Sequence, residues 1–301
     1  MRTSTRASHK PSGINASPTS GSTKTSPDYP INSSRSFSHS YPSGHQQFPF
    51  KLVAIVVAIL ALIIAVTVGI QSCGERSYDW NNLVNENGRY SYMENGTTTS
   101  LTGIDVSSHQ GNINWSEVAQ DNIDFAMLRC ARRGTSEGQI YADETFYANA
   151  DGAQQAGIPF GVYFFSQAIN EDEAREEAHY VLNMIEGMQV DGPIAYDFEY
   201  LPNTTSRTDG LTAEQVSANA EAFCSTIEAA GYTALVYGNQ HDLERYDLDT
   251  LRHRIWYAEY SSSQPSSDVN LVMWQYTASG SVSGISTAVD LNILLDPSLV
   301  N

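Results

Sequence analysis

Past Lys51 this 301-residue chain contains no lysine. Six of its 16 basic residues fall within the first 51 positions, where Asp28 is the sole acid, so the rest carries 10 bases against 33 acids. A surface that acidic repels nucleic acid and anionic lipid headgroups, and it meets any polyanionic wall polymer against repulsion. Its main consequence is solubility. Cysteine is scarce as well: three residues cannot build a disulfide framework. Cys73 follows a long apolar run, while Cys130 and Cys224 lie in a strand-like and a helical pattern and read as buried free thiols. No Cys/His spacing resembles a zinc site, and nothing in the chain calls for a metal or a cofactor.

The first 50 residues lack aliphatic periodicity. Ser, Thr, Pro, Gly and Asn dominate them, so they cannot bury enough surface to fold and read as a disordered tail. Residues 51–71 contain the reverse, an unbroken apolar stretch from Leu52 to Ile70 without a charge. About 20 apolar residues cross a bilayer core, so this stretch predicts one transmembrane helix with the lipid bilayer as its partner. The bases precede it, and Glu75, Arg76 and Asp79 follow it. That asymmetry predicts a cytoplasmic tail and an extracellular remainder. Residues 72–100 are polar, with Asn87-Gly88 and Asn95-Gly96, and are expected to form an extracellular spacer.

From residue 101 to 301, short apolar runs alternate with helical patterns. Strands are predicted at 103–106, 125–130, 159–165, 193–198, 233–237, 255–258, 271–275 and 289–294, and helices at 115–120, 143–156, 171–188 and 212–230. Gly157 and Gly231 fall where C-capping glycines belong. Alternation of this kind implies parallel strands with right-handed crossovers, and eight strands fit a closed α/β barrel. Helices dwindle after His241, so the last three strands should follow one another directly.

Within this pattern Ile194-Ala195-Tyr196-Asp197-Phe198-Glu199 stands out, an apolar run ending in two carboxylates at i, i+2. Strand side chains alternate faces, so the two acids point the same way. Neighbouring carboxylates push their pKa values apart, leaving one protonated near neutral pH, which is what glycosidic cleavage requires. Asp105 and Asp290 end or join other strand-like runs, and in barrels the chemistry gathers at the C-terminal ends of strands. Strands one and eight meet on closure, placing Asp105 beside Asp290.

Gly103-Ile104-Asp105-Val106-Ser107, Trp115, Gly157-Ile158-Pro159-Phe160-Gly161-Val162-Tyr163, Asp197-Phe198-Glu199, Trp256-Tyr257-Ala258-Glu259-Tyr260, Trp274-Gln275-Tyr276 and Asp290-Leu291-Asn292 recur in an order that resembles the glycoside hydrolase family 25 muramidases. The resemblance covers residues 102–295. It implies an irregular TIM-like (β/α)5(β)3 barrel and cleavage of the β-1,4 bond between N-acetylmuramic acid and N-acetylglucosamine in peptidoglycan. It also implies Glu199 as general acid, Asp197 as its partner, and Asp105 and Asp290 completing the cluster. Asp197 is expected to stay ionised. Tyr163, Trp256, Tyr260, Trp274 and Tyr276, with Arg129 and Asn292, are the expected substrate-binding residues, although the two tryptophans would serve equally as barrel core. Arg129 could instead form a structural ion pair. Two other functions compete: a chitinase-like N-acetylglucosaminidase, disfavoured by Ala195 where a further Asp is usual, and a catalytically silent glycan-binding barrel.

Overall fold

The computed structural model describes residues 78–300, apart from Asp268. The predicted tail and span at residues 1–71 lie outside the described residues, as does Cys73. Among the described residues no helix is long and apolar enough to cross a membrane.

Residues 83–98, expected to be spacer, are folded. β1 (Leu83–Glu86), β2 (Arg89–Glu94) and β3 (Thr97–Thr98) form an antiparallel three-stranded sheet. The two Asn-Gly pairs that suggested a linker are its hairpin turns. Asn87, Gly88, Asn95 and Gly96 all take positive φ, as a two-residue turn that matches strand twist demands. The sheet is docked on the barrel. Tyr90 packs against Trp274 and Tyr276 with ring centroids 4.9 and 5.0 Å away, and Arg89 pairs with Asp121 at 3.0 Å.

All eight predicted strands are present: β4 (Leu101–Val106), β5 (Phe125–Arg133), β7 (Phe160–Phe165), β8 (Ile194–Asp197), β9 (Ala234–Asn239), β10 (Arg254–Ala258), β11 (Leu271–Gly280) and β12 (Val289–Leu294). They close in the order β4-β12-β11-β10-β9-β8-β7-β5, with β4 pairing β5. A short extra strand, β6 (Ile140–Ala142), runs antiparallel to the end of β5. Helices α1 (Trp115–Gln120), α2 (Phe146–Ala156), α3 (Glu171–Met184), α4 (Ala213–Ala229) and the single turn α5 (Gln240–Leu243) follow the first five barrel strands, and among the described residues no helix separates the last three. Local chemistry sets the helix ends. The Asn170 side chain caps Glu173 N–H ahead of three acids in the first turn of α3, and Gly157 ends α2 in the left-handed region.

One strand runs against expectation. β12 is antiparallel to both β11 and β4. A parallel return needs a crossover of a dozen residues or more. Residues 259–270 supply that between β10 and β11, whereas residues 281–288 are too few, so the chain turns back.

Period-two alternation divides each strand between two cores. Phe125, Met127, Ala195, Leu235, Trp256 and Leu294 fill the barrel, while Ala126, Leu128, Cys130, Ile194 and Tyr196 face the helices. Gly103 makes room for this filling, since a Cβ there would fall 2.2 Å from the Phe125 ring. Cys130 and Cys224 are buried free thiols.

Candidate active site

The inward alternation delivers the acids to one mouth. On β8 the inward residue after Ala195 is Asp197, buried to 3% exposure, and Glu199 follows just past the strand end, half-buried. Asp105 is the inward residue near the end of β4 and pairs in register with Asp290. Asp290 therefore stands at the start of its strand rather than the end, and reaches the mouth only because β12 is reversed. All four line a cleft of about 440 Å³.

Beneath them lies a fixed amide lattice. Asp105 Oδ2 accepts hydrogen bonds from Gln275 Nε2 (2.7 Å) and Asn292 Nδ2 (2.8 Å). The Asn292 amide is oriented by Trp256 Nε1, which donates to its Oδ1 at 2.8 Å. Gln275 is oriented in the same way, because the Tyr237 and Tyr260 hydroxyls both donate to its Oε1, at 2.8 and 2.6 Å. Every polar atom of the two amides that faces the acids is committed.

Burial is the largest influence on each carboxyl. It raises Asp105, although the two amide donors oppose it. Burial and the Asp105 charge push Asp290 up to about 8. Burial and then the charge of Asp242 push Glu199 up to about 7. Burial and then the charge of Glu199 hold Asp197 well above the usual carboxylate range. Burial thus works against the expectation of an ionised Asp197 in the resting site.

The predicted sugar-binding residues divide. Tyr163, Tyr260, Arg129 and Trp256 line the cleft with the acids. Tyr260, 46% exposed, offers the accessible ring, whereas Trp256 is 1% exposed and serves as a wall packed edge-on against Tyr163 and Tyr237. Trp274 and Tyr276 do not line it. Gln275 points inward, so its neighbours on β11 must point outward, where they meet Tyr90 of the hairpin sheet. Asn292 is wholly buried under the cleft and holds Asp105 and Trp256 rather than a ligand. Arg129 lines the cleft while paired with Asp143 at 2.8 Å and with the Ser108 hydroxyl. Three participants escaped the sequence reading: Gln275, Tyr237 and Asp242. Gln275 was within reach, being inward by alternation from a motif already singled out.

The sequence and the fold both have known relatives. The family model described as glycosyl hydrolases family 25 matches residues 104–285. The chain is 30% identical over 193 residues to the autolytic lysozyme of Clostridium acetobutylicum, covering 64% of this chain and 55% of that one. It is 30% identical over 207 residues to lysozyme M1 of Streptomyces globisporus, covering 65% and 68%. The chain therefore spans only about half the length of the clostridial relative. Among solved structures, the bacterial lysozyme from Streptomyces coelicolor superposes with a TM-score of 0.54 at 28% identity, covering 64% of this chain and 90% of that one. The hairpin sheet at 83–98 precedes the residues matched by the family model.

Proposed function

Because the chain belongs to glycosyl hydrolase family 25, we propose that it hydrolyses the β-1,4 bond between N-acetylmuramic acid and N-acetylglucosamine in peptidoglycan. The observation that carries this reading is the convergence of four carboxyl groups on one cleft, with Glu199 pushed up to about 7. A general acid must hold its proton near the working pH and reach the leaving oxygen. Glu199 is the more exposed of its pair and is the donor; Asp197 stands behind it.

Two carboxyls from one strand end cannot easily straddle the scissile bond, so direct attack by Asp197 is disfavoured. The sugar's own 2-acetamido group is the nucleophile instead. As positive charge develops on the amide nitrogen, it favours the ionised form of Asp197, and the pair's proton passes to Glu199 for delivery to the leaving group. The product then keeps the β configuration. Asp105 and Asp290, held as a hydrogen-bonded pair, shape the opposite wall, and Tyr260 supplies a ring for a pyranose face.

Glu199→Gln keeps shape and removes the proton. Its activity on purified peptidoglycan should fall by about 10²–10⁴-fold with folding retained. Near-normal activity would remove Glu199 from the role. NMR of the product anomers in the first minutes tests the route, and an initial α product would overturn it.

The proposal extends to location: residues 51–71 anchor the protein in the cell membrane, with the tail cytoplasmic and the barrel outside. The apolar stretch at 52–70 and the excess of bases before it support this. Protease added to intact, wall-stripped cells should remove the barrel and leave the tail. A protected barrel would refute the orientation.

A further inference from the structure

Asp242 has entered so far only through its charge on Glu199, and it is completely buried. It lies on α5, the single turn after β9, with its two oxygens divided between two backbone segments. Oδ2 accepts from Asn239 N–H at 2.9 Å, closing a capping box at the head of that turn. Oδ1 accepts from Tyr200 N–H at 2.6 Å. The second bond crosses from one strand end to the next and grips the peptide immediately after Glu199. The seat is made for it, because a Cβ on Gly238 would stand 2.9 Å from the Asp242 Cβ, and only glycine on β9 lets the acid come so close. A buried carboxylate is costly, and a neutral amide at this third position could close the capping box as well.

We propose that Asp242 is a positioning residue for Glu199: it clamps the chain directly behind that side chain and fixes a negative charge there. The proposal rests on Glu199 being the acid. Burial raises Asp242 itself, against the Tyr200 and Asn239 N–H groups and the nearby His241 and Arg245; both of its oxygens accept from backbone N–H groups, as an ionised carboxylate does. Glu199 is also faced by Asp197 on its own segment, by Asp105 and Asp290 from the strands opposite, and by Arg129 on β5, the one cation among them. Among these charges Asp242 is the foremost in holding the proton on Glu199. Tyr237 and Tyr260 also face the group, and both remain neutral hydroxyls because burial raises them.

The test is the pH profile of kcat/KM on peptidoglycan for the full chain and for Asp242→Asn. A neutral side chain of the same shape should move the alkaline limb down by roughly one pH unit. Activity at pH 8 should fall about tenfold while activity at pH 5 stays within about threefold of the parent. A clamp without an electrostatic role would lower the rate equally at every pH, and an unmoved limb would overturn the proposal. Should Asp242→Asn not fold, Asp242→Ser, smaller and neutral, carries the same comparison. Glu199→Gln measured alongside separates the two readings. If it stays active, the assignment of the acid is wrong; if it is inactive and the Asp242 limb is unmoved, only the role of Asp242 is wrong.

Discussion

At the scale of the residue, the site depends on amides as much as on acids. Asp105 could not be held at a fixed angle by water, because it is buried, and its two donors are side-chain amides that are themselves aligned by Trp256, Tyr237 and Tyr260. Asn292→Ala removes one donor from Asp105 and the acceptor from the Trp256 N–H. Hydrogen bonds to charged groups contribute about 1.5–3 kcal/mol each, so we expect a loss of stability of about that size. We also expect a clear fall in kcat as Asp105 takes up a proton more readily. Urea unfolding measures the first quantity, and a midpoint within experimental error of the parent would contradict it. Burial of this kind also separates residues that look alike in the sequence. Asn292 and Trp256 carry polar atoms suited to a sugar, but their atoms are already committed to one another.

The elements were legible wherever a period or a capping residue dictated them. The bounds of the first predicted helix agree with α1, Trp115–Gln120, and every predicted barrel strand overlaps an observed one. What failed was relative direction and the identity of the outward face. Reversal of β12 depends on the length of the connection before it, and the outward place of Trp274 and Tyr276 depends on which residue of β11 meets Asp105. The hairpin sheet at 83–98 is not legible in the sequence because Asn-Gly turns and polar linkers share the same composition. Tyr90 is one of its attachments, beside the buried Tyr92, and Tyr90→Ala should leave the sheet less firmly docked. Hydrogen exchange should then report lost amide protection across 83–98 with the barrel strands unchanged. Equal protection in both proteins would show that Tyr92 and the Arg89–Asp121 pair suffice. Trp274→Ala should destabilise the protein by about 3–5 kcal/mol without altering KM in the fraction that folds, since the ring packs under Tyr90 and outside the cleft.

For the whole molecule the burial of acids makes stability depend on pH in an unusual sense. Glu199 is raised to about 7 and Asp290 to about 8 in the folded protein, both above their ordinary values. Between those ordinary values and the raised ones the folded state binds more protons than the unfolded state, so stability falls as pH rises. The advantage is complete below about pH 4 and is lost progressively toward pH 8. The melting temperature should therefore be higher at pH 5 than at pH 8, and Glu199→Gln should flatten the decline. A parent protein that melts higher at pH 8 would show that other ionisations dominate.

The register of β4 carries a mechanical consequence. Asp105 is paired with Asp290 at the mouth, and Leu101 with Leu294 at the opposite end of the same ladder. The backbone thus comes into the barrel through its floor and runs straight toward the acids, flanked by β12 on one side and β5 on the other. A force drawn along the chain from the residue 101 side, and resisted by a strand of polymer gripped in the cleft, would act parallel to both ladders. Loaded in shear, their hydrogen bonds share the tension instead of parting one at a time. Tension that passes the hairpin sheet and reaches Leu101 would thus be resisted by two ladders together.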